Sequence, residues 1–170
     1  MNGSAQLDGQ YRYSLTRQWS SGPRVCWIML NPSTADADQD DPTIRRCIGF
    51  SRTWGFGELV IVNLFALRAT NPRELKRHVD PVGAGNEREI GMASRTSALT
   101  VAAWGVHGAF LQGGARARAR LGSRICHLGL TRDGHPRHPL YLRGDTRPVR
   151  WESGTQTMYA RLPCDGPVEG

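Results

Sequence analysis

The stretch Val25-Cys26-Trp27-Ile28-Met29-Leu30-Asn31-Pro32-Ser33 decides the fold. An unbroken apolar run lies between Gly22-Pro23 and Asn31-Pro32, bounded at both ends by turn formers and short for a helix. A strand that is apolar at every position, rather than at alternate ones, has both faces covered. That is the habit of parallel sheets in α/β proteins.

The same profile recurs outward along the chain. Leu59-Val60-Ile61-Val62-Asn63-Leu64 repeats it, and Leu99 to Trp104 and the shorter Ile125 to Leu130 do so more weakly. Tyr11-Arg12-Tyr13-Ser14-Leu15 alternates and reads as a half-exposed strand, and Val149-Arg150-Trp151 as an edge strand. Helical patterns fall between them. Asp41-Pro42-Thr43 offers an N-cap with proline at the first helical position, followed by the stripe Ile44, Cys47, Ile48, Ser51, Trp54. Asn71-Pro72-Arg73-Glu74 resembles a capping box, Gly85 to Ser97 reads as a helix, and so does the arginine–alanine segment Ala109 to Leu121. Strands alternating with helices predict a mostly parallel sheet with helices on both faces. The expected organisation is a loose N-terminus over 1–9, a single α/β domain over 10–151 and a C-terminal tail over 152–170.

Composition narrows the partners. At 170 residues with 39% hydrophobic content the chain suits one globular domain. No apolar run approaches the roughly 18 residues of a membrane span, and Met1 to Asp8 lacks a basic start and an apolar stretch. No membrane partner and a cytoplasmic address are expected. Cys26, Cys47, Cys126 and Cys164 form no C-x-x-C pair, and three of them sit inside apolar patterns as reduced, packed thiols. The net charge of +7 and pI near 9.9 favour nucleic acid, nucleotide or phosphate, provided the charge clusters. Nearly all of it is arginine, with Lys76 the only lysine.

In open α/β sheets ligands bind beyond the carboxyl ends of the strands, so the polar residues after each apolar run are the candidates. They are Asn31, Pro32, Ser33, Thr34 and Asp36 after the first run, then Asn63 and Arg68, then Gly105 and His107, and finally His138 and Tyr141 in Gly134-His135-Pro136-Arg137-His138-Pro139-Leu140-Tyr141. Asp41, Arg45 and Arg46 join them at a helix N-terminus, which attracts anions. Each has a plainer alternative: Asn-Pro-Ser is ordinary turn chemistry, Asn63 could tie two loops together, the arginines could be solvated, and the glycines could serve a turn. No P-loop, dinucleotide fingerprint, serine elbow or zinc spacing is present, so neither a metal nor another cofactor is expected.

Asn31-Pro32-Ser33-Thr34-Ala35-Asp36, Asp41-Pro42-Thr43-Ile44-Arg45-Arg46-Cys47, Val62-Asn63-Leu64-Phe65-Ala66-Leu67-Arg68 and the closing Gly134 to Tyr141 together resemble a bacterial family known as domain of unknown function 1643. More loosely, their order resembles the uracil-DNA glycosylase superfamily. Leu30-Asn31-Pro32-Ser33 is similar to that superfamily's Gly-x-Asn-Pro, with Met29 in the glycine's place, and His138-Pro139-Leu140 to its His-Pro-Ser, with leucine for serine. The resemblance implies a three-layer α/β/α fold and cleavage of the N-glycosidic bond of a base in DNA or a nucleotide. Asn31 would orient water, His138 would hydrogen-bond the departing base, and Arg45, Arg46 or Arg68 would hold phosphate. Two alternatives stay open. One is a non-catalytic nucleotide or nucleic-acid binding module. The other is a metal-assisted enzyme on a small phosphorylated ligand, with Asp36, Asp40 or Asp41 as base or ligand.

Overall fold

The computed structural model describes residues 1–152 and 162–164. Its centre is a seven-stranded sheet in the order β1-β2-β4-β3-β5-β6-β7. These strands are β1 (Asn2–Asp8), β2 (Tyr11–Gln18), β3 (Arg24–Met29), β4 (Glu58–Asn63), β5 (Leu99–Ala102), β6 (Ile125–His127) and β7 (Val149–Arg150). The helices are α1 (Pro42–Thr53), α2 (Pro72–Arg77), α3 (Asn86–Arg95) and α4 (Gly113–Leu121). The four middle strands are parallel, as their continuous apolar runs require, whereas β1, β2 and β7 add on antiparallel.

Side-chain alternation along the middle strands divides the core in two. Val25, Trp27 and Met29 face α1, whose buried stripe is Ile44, Cys47, Ile48 and Phe50. Cys26 and Ile28 face the other way, toward Ile90 of α3 and Ala117 and Leu121 of α4. The α1 side is dominated by aromatic rings: Trp27 stacks on Trp54 at 5.4 Å, and its indole N–H donates to the Ser51 hydroxyl at 3.0 Å. Burial pushes the Cys26 thiol up to about 12 and that of Cys126 to about 11, so both pack as inert apolar groups. Among the described residues no helix is long and apolar enough to cross a membrane.

Three expectations change. The segment 1–9 is not a loose end but carries the edge strand β1, paired with β2 from Asn2↔Gln18 to Asp8↔Tyr11. Its small polar residues show no apolar alternation because almost all of them face solvent. The register of that pair shifts: Gln6 lies opposite Ser14 but Leu7 lies opposite Arg12, leaving Tyr13 as a bulge. The helix expected from Ala109 begins only at Gly113. Before it the chain breaks at Phe110, and Leu111 and Gln112 take positive φ of 47° and 54°. Where α4 begins the helix lies close to the rings it packs on: a Cβ on Gly113 would lie 3.0 Å from the Phe65 ring and one on Gly114 2.7 Å from the Trp104 indole nitrogen, so only glycine fits both places without a shift. Of the expected tail, Leu162 returns to the α1-side core, and 153–161 and 165–170 lie outside the described residues.

Candidate functional site

The connection from β3 through α1 leads to β4 on one side of β3, and the next parallel strand, β5, lies on its other side. Chain direction therefore switches between β3 and β5, and such a switch opens a crevice at the carboxyl edge. A cleft of about 670 Å³ lies there, within the range that holds a small organic ligand. It is lined by the end of β3 (Met29, Leu30, Asn31), the end of β4 (Asn63), the loop after β5 (Trp104, Gly105, His107) and the loop after β6 (Thr131, Arg137, His138, Tyr141). The first turn of α1 closes it with Asp41, Thr43 and Ile44.

Asn63 is the most unusual residue in the cleft. It is only 1% exposed, yet neither its amide nitrogen nor its amide oxygen has a hydrogen-bond partner. Its backbone is fixed, because the Asn86 amide of α3 donates to the carbonyls of Asn63 (2.8 Å) and Leu64 (3.1 Å). A buried amide with both halves unsatisfied costs on the order of 1–3 kcal/mol per group, and a partner that completed it would have to bring one acceptor and one donor.

Asn31 is fixed differently. Its NH2 donates to the Pro32 carbonyl (2.9 Å) and across to the Ala69 carbonyl (2.7 Å). Two carbonyl acceptors define which end is nitrogen, so Oδ1 is the end left to accept from a ligand or water. His138 accepts the Leu140 N–H at Nδ1 (3.4 Å), which caps the 3-10 turn Pro139–Tyr141. The neutral ring then carries its proton on Nε2, a donor. Burial lowers the His138 pKa below the usual imidazole range, opposed by the negative charge of Asp41.

His127 is likewise lowered, by burial and then by Arg118, and its Nδ1 accepts the Gly129 N–H at 3.0 Å. Both rings are harder to protonate folded than unfolded. As pH falls below about 6.5 the unfolded chain takes protons first, and stability drops until the folded-state values are reached. Tm is expected to fall between pH 7.5 and pH 5, and His127→Asn, which keeps an acceptor, to flatten that fall. Calorimetry across this range checks it; a Tm independent of pH contradicts it.

The sequence-expected residues divide between the cleft and its supports. Asn31, Ser33, Asp41, Asn63, Gly105, His107, His138 and Tyr141 come together around the cleft. Pro32, Thr34, Asp36, Arg45, Arg46 and Arg68 do not line it. Asp36 is spent on its own loop, where Oδ1 accepts the N–H of Asp38 and Gln39, and these bonds hold its carboxyl below the usual range. Arg45 is exposed and bonds the Asp40 carbonyl, and Thr34 and Arg68 also lie at the surface. Pro32 is buried, its carbonyl taken by the Ala69 N–H. Arg46 is a strut rather than an anion ligand: it donates to the carbonyls of Pro139 and Leu142 and lies 4.7 Å over the Phe50 ring. It thereby ties α1 to the turn that His138 caps.

Of the cleft-lining residues that sequence reasoning missed, the buried charge is Arg12. It is 2% exposed, lines the cleft, donates to the Ala35 carbonyl, and leaves Nε without a partner. Burial brings the guanidinium down to about 10, still charged at neutral pH, with Asp41 the largest opposing influence. Strict alternation from Leu15 would put Arg12 on the α3 side; the bulge at Tyr13 turns it to the α1 side. Nothing in the sequence marks that bulge. Among the described residues no group of three or more His, Cys, Asp or Glu could hold a metal ion.

A family model described as "Protein of unknown function (DUF1643)" matches residues 12–140. That span begins at Arg12 and runs past His138, so it takes in every cleft-lining residue except Tyr141. No curated protein and no solved structure matches the chain.

Proposed function

The chain belongs to the DUF1643 family, and from its cleft we propose that it is a hydrolase of an N-glycosidic bond, acting on a base carried by a nucleotide or by DNA. The observation that carries this is Asn63: its buried, unpartnered amide has the donor–acceptor pattern that complements the lactam or amidine edge of a nucleobase. In this reading the helices on the two sides of the sheet make the three-layer architecture of the uracil-DNA glycosylase superfamily, and Asn31 and His138 take the roles of its first and last motifs.

The chemistry follows from charge. The bond between the anomeric carbon and the base nitrogen lengthens, leaving positive charge on the sugar and negative charge on the base. His138, neutral and protonated at Nε2, hydrogen-bonds the base as that negative charge grows. Asn31 Oδ1 accepts from a water and turns a lone pair of its oxygen toward the anomeric carbon. The water oxygen bonds that carbon, and its proton leaves to solvent while the base nitrogen is protonated. Asp41, the one acidic residue lining the cleft, supplies negative charge for the cationic sugar.

The test is release of free base, followed by mass spectrometry, from nucleotides and from DNA with normal and modified bases. Asn31→Ala and His138→Ala are each expected to slow release by about 10²–10⁴-fold. Full activity in both variants, or ligand recovered intact from a wild-type protein that binds it, contradicts the reading.

A further inference from the structure

We propose that the floor of the cleft is a closed anion subsite, formed by Arg12 and the first turn of α1, that takes the terminal phosphate of a small phosphorylated ligand. Three observations converge on it. Among the described residues Arg12 is buried and forms no ion pair; the hydrogen bond it makes goes to the Ala35 carbonyl, and Nε is unpartnered. A guanidinium left so is costly unless a further anion completes it. The first turn of α1 lines the same cleft. There Asp41 caps the Ile44 N–H at 2.9 Å, Pro42 has no N–H, and the Thr43 amide is the first-turn donor left over. An uncapped amide and the positive end of a 12-residue helix favour an anion at that point.

The neighbouring cation explains why the anion belongs to a ligand. Arg17, buried in the same strand, is already neutralised by Asp40 at 2.9 Å and bonds the carbonyls of Thr16 and Asp36. The carboxylates near Arg12 are occupied elsewhere, Asp41 on the helix and Asp36 on its turn. Among the described residues Arg12 thus has negative charge nearby, from Asp41 and Asp36, but no carboxylate bonded to it.

Burial also selects the type of phosphate. A phosphodiester within a polynucleotide must leave the site in two directions, whereas a group meeting a side chain 2% exposed has to end there. A terminal phosphomonoester meets that condition. Resting on the preceding reading, the substrate is a free mononucleotide rather than an internal residue of DNA.

Inorganic phosphate is the probe, titrated into the full chain at constant ionic strength with chloride as the balancing ion and Tm as the readout. Wild type is expected to gain Tm with increasing phosphate, and Arg12→Met to bind at least about tenfold more weakly. Arg88→Met, the same charge change at an exposed site on α3, is expected to keep the wild-type response. Circular dichroism without phosphate checks that Arg12→Met folds, and Arg12→Lys, which keeps the charge, serves as a second variant expected to recover part of the binding. A wild-type Tm indifferent to phosphate, or equal responses from wild type and Arg12→Met, overturns the subsite. The two readings part in the release assay. Base freed equally from nucleosides and their 5′-monophosphates defeats the subsite and leaves the hydrolase standing; phosphate binding lost with Arg12 but no base released defeats the hydrolase alone.

Discussion

Asn63→Leu is expected to raise the melting temperature while removing activity. The amide is 1% exposed with both polar atoms unpartnered, so the folded protein carries its full desolvation penalty. Leucine has the same branching at Cγ and no polar atoms, its larger volume can extend into the cleft that Asn63 lines, and replacing an unsatisfied group by an apolar one of similar shape is neutral or stabilising. A gain of about 1–2 kcal/mol corresponds to roughly 2–8 °C for a domain of this size. The loss of function follows from the same atoms, because the edge of the base they would meet is then buried without partners. A fall of about 10²-fold or more in kcat/KM is expected. Differential scanning calorimetry and the release assay, run on the same preparation, check both. A lowered Tm with unchanged turnover would show that Asn63 serves the fold and not the ligand.

The second large effect is structural. A Cβ on Gly108 would lie 2.1 Å from Trp104 Cδ1 and 2.6 Å from its indole nitrogen, and Gly114 closes on the same ring from 2.7 Å. The indole is 3% exposed and already close to both glycines, so Gly108→Ala is expected to force the ring or the chain to move. Overpacking of this kind costs about 1–3 kcal/mol. Because Trp104 lines the cleft, its near-ultraviolet dichroism and fluorescence should change along with Tm. Gly49→Ala is the contrasting case: nothing lies within 4 Å of the new methyl on the exposed face of α1, and alanine for glycine inside a helix stabilises by roughly 0.5–1 kcal/mol. A Gly108→Ala protein as stable as wild type would mean that the ring moves freely.

Much of this architecture is legible in the sequence. The runs at Val25 and Leu59 are apolar at every position, and Asp41-Pro42 is both a cap and a helix start, so the middle of the sheet and α1 follow from local chemistry. Asn63 stands out as an amide inside an apolar run, and its place at a strand end aims it at the cleft. What local chemistry does not contain is tertiary competition. Arg45 and Arg46 sit side by side at a helix N-terminus, yet one faces solvent and the other is drawn into bonding the carbonyls of Pro139 and Leu142. The strand over Asn2–Asp8 exists because β2 offers it an edge, and no pattern of its own residues announces that. Arg12 lies in a strand whose alternation is broken by a register shift, a property of two chains side by side rather than of one.

The bulge at Tyr13 makes the charge of the cleft a matter of parity. β2 has one more residue than the facing part of β1 needs, and that surplus decides which side of the sheet receives the arginine. A relative shorter by one residue at this point could keep an identical arginine in an identical hydrogen-bonded hairpin and still present it to the opposite core. The number of residues from the hairpin turn at Gly9 to the bulge within β2 is thus as decisive for the cleft as the identity of the arginine.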